Sequence, residues 1–191
     1  LGRRQLSVSP PLLAAGGAVM LLASGPTLLA VPLTTELHGR AWVAGTAVAF
    51  SLGCLLSTLA VETVGRMKLP AVLRWSLWGL GMLVGWIFAP VHAVALLAAQ
   101  FLAGLAQTAF EGDMDARVAE EAPRQGVTTA LAYSASTRAL GGSVAVKLLP
   151  MLVAAPQLDT VVSAAVLVLG VAALVIWAAT SLPRFGGRRA A

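Results

Sequence analysis

With 191 residues, 58% of them hydrophobic and 11% charged, the chain carries too little charge to clothe a soluble domain of its size, and a membrane protein is expected. The net charge of +5 does not point to nucleic acid, because the basic residues form short clusters between apolar runs. The one cysteine, Cys54, lies inside an apolar run, which excludes an internal disulfide, and neither a metal nor a cofactor is expected from the residue pattern.

Residues 1–11 are polar and end in Pro10-Pro11. Arg3-Arg4 ahead of Leu12–Ala23 resembles a twin-arginine leader, but the apolar stretch continues to about Leu33, too long for a signal core. The chain opens on Leu1 rather than Met, so residues 1–11 are read as the tail of a cytoplasmic linker from a larger protein. Six apolar segments follow, at about 12–34, 41–61, 69–89, 91–110, 127–154 and 158–182. Each is close to the roughly 20 residues that cross a bilayer as a helix. Residues 183–191 are read as a basic cytoplasmic tail.

The first segment contains Gly25-Pro26, where a helix break is expected, with Ser24 and Thr27 beside it; Pro32 is expected to repeat the effect. Such a break either exposes polar backbone to a cavity or is a packing kink. Between the second and third segments lies the short charged turn Glu62-Thr63-Val64-Gly65-Arg66-Met67-Lys68, which makes those segments antiparallel neighbours. Gly65 is expected to permit the sharp turn, and Glu62 can pair with Arg66 if the preceding helix runs on. Arg74, near the start of the third segment, is expected to reach back to the cytoplasmic interface.

Gln100, Gly104, Gln107 and Glu111 are spaced by four, three and four in the fourth segment, so they form one stripe on a helix. Amides at membrane depth need partners or water. The stripe is therefore a cavity wall or a line of interhelical hydrogen bonds. A short helical extension and loop follow, ended by Pro123 and Gly126. Glu111, Asp113 and Asp115 lack the glycine and the distal ligand of a calcium loop.

In the fifth segment, Arg138 lies about 16 Å along the helix from Val127, a depth at which no acidic residue of the six segments is expected. It is read as a functional charge toward substrate, or else as a buried structural ion pair. Ser134, Gly141 and Gly142 share its side; Thr129, Ser136, Ser143 and Lys147 lie opposite. The sixth segment is apolar and reads as an outer helix.

Placing both termini in the cytoplasm puts Arg3, Arg4, Arg66, Lys68, Arg74, Arg117, Arg124, Arg184, Arg188 and Arg189 inside and only Arg40 outside, a clear positive-inside bias. Trp42, Trp75, Trp86 and Trp177 fall near segment ends, as interfacial anchors do.

The turn resembles the loop signature of the major facilitator superfamily in Glu62, Gly65, Arg66 and Lys68. It departs from that signature at Thr58, Thr63 and Met67, as the degenerate second copy of that family does. Together with six segments, the resemblance implies the C-terminal half of such a transporter: an all-α polytopic membrane protein of two inverted three-helix repeats. The resemblance further implies alternating access, proton coupling and a bacterial cytoplasmic membrane, with an N-terminal six-helix half as partner and no enzymatic activity. Its cargo would be a drug or small metabolite moved outward, as in an antiporter. Ser24, Thr27, Gln100, Gln107, Glu111 and Arg138 are then the cavity candidates, and Glu62–Lys68 the gating turn. A vitamin importer's six-helix membrane subunit is the main alternative. An intramembrane serine protease fits poorly, since His38 and His92 both lie at outer connections and follow no suitable serine motif.

Overall fold

Proline and glycine set the boundaries of the helices in a computed structural model that describes residues 8–153. The elements are α1 (Pro10–Ala23), α2 (Gly25–Leu28), α3 (Ala30–His38), a 3₁₀ turn (Arg40–Trp42), α4 (Val43–Arg66), α5 (Ala71–Phe88), α6 (Ala93–Glu121) and α7 (Val127–Val153). Among the described residues the fold is all-helical. The expected sixth segment, Trp177 and the basic tail lie outside them.

The first apolar segment is three helices rather than one. A proline ring clashes with the carbonyl four residues back. For Pro26 that carbonyl belongs to Leu22 and for Pro32 to Leu28, and the helix is interrupted just after each, at Ser24 and Leu29. Pro32 itself falls in the first turn of α3, where its missing N–H costs nothing. Thus its break lies one turn before the position expected from the sequence.

α4 runs on past the expected end at residue 61 to Arg66. Gly65 is inside the helix, and a Cβ there would meet open space, so the glycine does not make the turn. The chain turns instead at Lys68, which adopts φ 50 just past the C-cap, with its N–H bonded to the Gly65 carbonyl at 3.2 Å. Glycine usually fills that left-handed position. Lys68 is exposed, so its Cβ gains nothing from packing. Lys68→Gly is expected to stabilise the protein by about 0.5–1 kcal/mol, read as a higher melting temperature in detergent; an unchanged melting temperature would mean no strain is held there.

α6 starts at His92, whose extended backbone and Nδ1, accepting from Val94 N–H at 3.1 Å, cap the helix. It ends at Ala122, held extended with ψ 140 by the following Pro123. The helical extension expected beyond residue 110 is therefore continuous with the span. Buried residues recur along α6 at helical spacing from Leu96 to Val118. α4 and α5 pack along it, while α7 packs chiefly on α1.

Two of these contacts are glycine-mediated close crossings. A Cβ on Gly53 of α4 would strike the Phe101 carbonyl oxygen, and one on Gly104 of α6 would strike that of Phe50. A Cβ on Gly141 of α7 would likewise strike the carbonyl oxygen of Gly17 on α1. Small residues that bring backbones together are the usual means of packing helices where lipid removes the hydrophobic drive.

Trp75 is not an interfacial anchor. It is buried and meets Phe110 edge-on, with ring centroids 6.2 Å apart and planes at 83°. Trp42 remains exposed, and the Trp86 side chain is outside what is described. Among the described residues, two helices, Arg40–Arg66 with 27 residues and Ala93–Glu121 with 29, are long and apolar enough to cross a membrane.

Candidate functional site

The broken first segment meets α6 through a line of polar side chains. Ser24 Oγ donates to the Met20 carbonyl, and Thr27 Oγ1 lies 2.8 Å from the Ser24 carbonyl and 3.3 Å from Gln107 Oε1. Gln107 Nε2 in turn donates to Glu111 Oε1 at 3.2 Å. A carboxylate oxygen accepts from an N–H, so Glu111 turns the NH₂ of Gln107 toward itself and leaves the amide oxygen for Thr27. Thr27, Gln107 and Glu111 are all half-buried, whereas Ser24 is fully enclosed.

The expected stripe divides along its length. Gln100 is 1% exposed, sealed among helices. Gly104 abuts the α4 backbone, and its carbonyl accepts from Cys54 Sγ at 3.5 Å. Gly104 belongs to the α4–α6 packing and Gln100 is buried, while Gln107 and Glu111 form the accessible part. At Gly104 the close approach of α4 at Gly53 and Phe50 leaves no room for a side chain.

Arg138 forms a buried ion pair, the second of its two sequence readings, with a partner, Asp115, that the sequence reading did not name. Its Nη1 donates to Asp115 Oδ1 at 2.7 Å and to Ser134 Oγ at 3.1 Å. Counted along the helices, Asp115 lies about 9 Å from the connection between α6 and α7 and Arg138 about 16 Å. Side chains lean toward the N-terminus of their own helix. In these antiparallel neighbours Arg138 therefore leans toward the connection and Asp115 away from it, and the long arginine stem closes the gap. The opposite side of α7, with Thr129, Ser136, Ser143 and Lys147, is exposed.

Arg74 does not simply extend to an interface. Its Nε and Nη2 hold the two oxygens of Asp113 at 3.1 and 3.4 Å, and Trp78 Nε1 donates to Asp113 Oδ2 at 3.0 Å. Asp113 and Asp115 are two residues apart, about 200° around the helix. One consequently faces α5 and the other α7, and each is taken by an arginine rather than by a common cation. The roles of these two aspartates were missed from sequence. Their i, i+2 spacing on a continued helix was the available signal, hidden because a loop was expected nearby. Further along α6, Arg117 pairs with Glu120 and Glu121 at 3.4 Å each, and Ser9 donates to Glu121 at 3.1 Å.

Glu62 and Arg66 share a helix four residues apart and are both exposed, yet no ion pair joins them. Gly65 and Lys68 are exposed beside them. The turn residues thus form a polar end to α4, separate from the Thr27–Gln107–Glu111 line.

Among known proteins, the chain matches no family model, no curated protein and no solved structure.

Proposed function

We propose that the chain is a membrane-embedded unit of major facilitator type, one six-helix half of a secondary transporter that moves a small molecule by alternating access. The observation that carries this reading is the hydrogen-bonded line from the broken first segment to α6. The broken first segment, at the short α2, meets the long apolar α6, and at that contact the chain keeps a threonine, an amide and a carboxylate half-open. That is an expensive arrangement in lipid unless something polar passes there. Discontinuous helices beside such groups are a recurrent feature of transporter sites.

Three further features support it. α4 turns Leu52, Leu55 and Leu59 outward, a face suited to lipid. α7 leaves a polar face free, suited to a second six-helix half. The basic residues concentrate on one side of the proposed spans. In this reading both termini lie in the cytoplasm of a bacterial cell, the proton gradient drives efflux, and the Glu62–Lys68 turn touches the partner half in one state of the cycle.

Topology is the first test. In a Cys54→Ala background, single cysteines at Thr63 and Gln125 are expected to resist an impermeant maleimide added outside intact cells and to react once the cells are opened. Everted vesicles carrying the protein are then expected to accumulate members of a panel of fluorescent substrates in a protonophore-sensitive manner. Labelling from outside would overturn the orientation, and lack of any energy-dependent flux across the panel would overturn the transport assignment.

A further inference from the structure

We infer that Glu111, rather than Arg138, is the charged binding group and that it takes a lipophilic organic cation. The argument is one of charge accounting around α6. The buried-side arginines are committed: Arg74 to Asp113, and Arg138 to Asp115 and Ser134. On the far end of the helix Arg117 serves both Glu120 and Glu121. Glu111 is the acidic residue of α6 that none of these guanidinium groups reaches. Its hydrogen bond comes from the neutral amide of Gln107, which orients one oxygen and cancels no charge.

Glu111 sits one helical turn before Asp115, so Arg138 is nearby but already neutralised at 2.7 Å. The local sum over Arg138, Asp115 and Glu111 is one net negative charge. A half-buried carboxylate favours a counter-cation that brings little hydration of its own. The flanking groups supply the rest of the site: Leu28, exposed beside Thr27, offers apolar contact, and Gln107 and Thr27 offer oriented polar edges. A monovalent cation with a broad apolar surface fits these demands better than an anion, which would face an unneutralised carboxylate.

This inference rests on the transport reading only in calling the ligand cargo; binding is measurable without flux. The full-length protein in lipid nanodiscs is titrated with tetraphenylphosphonium and with tetraphenylborate, which share a shape and differ in sign. The wild type is expected to bind the phosphonium saturably and the borate only by unsaturable partition. Loss of a charge-assisted contact on Glu111→Gln is expected to weaken phosphonium binding at least about tenfold, while Glu111→Asp keeps most of it. Preferential borate binding, no saturable phosphonium binding, or equal phosphonium affinity in wild type and Glu111→Gln would each overturn the assignment. The wild-type pair of probes decides the sign even where a variant folds poorly. Glu111-dependent binding without flux would remove the transport reading and keep the site; flux with Glu111-independent binding would do the reverse.

Discussion

Asp115→Ala is expected to destabilise the protein more than Arg138→Met, although the two residues share one ion pair. The reason is the asymmetry of their burial: the Arg138 side chain is 9% exposed and that of Asp115 is 42% exposed. Removing Asp115 leaves a buried guanidinium with only the neutral Ser134 hydroxyl, a loss of about 3 kcal/mol. Removing the arginine charge leaves a carboxylate that water can reach, and methionine keeps the stem that packs on Gly16, whose added Cβ would lie 3.3 Å from Arg138 Cγ. That change is expected to cost about 1 kcal/mol. The double variant Asp115→Ala with Arg138→Met is expected to recover most of the loss of the first. Thermal unfolding of the four proteins in one detergent measures all three differences. Equal losses for the two single variants would show that the pair is solvated, and failure of the double variant to recover would show that Asp115 matters for reasons other than its charge.

Gly104→Leu is expected to prevent assembly of α4 on α6, at a cost of about 3 kcal/mol or more. Its Cβ alone would overlap the Phe50 carbonyl oxygen and crowd the Phe50 Cα at 3.2 Å. Backbone on both sides cannot rotate away as a side chain can, so the helices must separate along their length. Gly65→Leu serves as the comparison, because a Cβ there meets nothing within 4 Å. The checks are the yield of monodisperse protein after detergent extraction and its melting temperature. A Gly104→Leu protein as well behaved as Gly65→Leu would mean that the α4–α6 crossing is looser than the backbone contact requires.

The interruption of the first segment was legible in the sequence, since a proline in a helix acts on its own chain within four residues. So was the placement of polar residues on one side of α6 and on both sides of α7, because helical periodicity is a local property. The position of the turn was not. Glycine at residue 65 and lysine at residue 68 point to the wrong residue, and only the continuation of α4 to Arg66 puts Lys68 in the left-handed position. Trp75 looked like an interfacial ring by its distance from a segment end, yet Phe110 and the helix packing enclose it.

What the sequence determined by itself, over the described residues, is that the apolar stretches are helical, that the first is interrupted, and which groups are costly to bury. These follow from composition and short-range periodicity. Which of those groups remain available was decided by the tertiary structure. Gln107 and Glu111 are half-open while Gln100 is closed, a difference that helical periodicity along one stripe does not set. Arg138 is neutralised and Glu111 is not, because side-chain lean on two antiparallel helices brings the arginine to Asp115. A charge pair depends on the distance between residues far apart in the chain, and that distance exists only after the helices have packed.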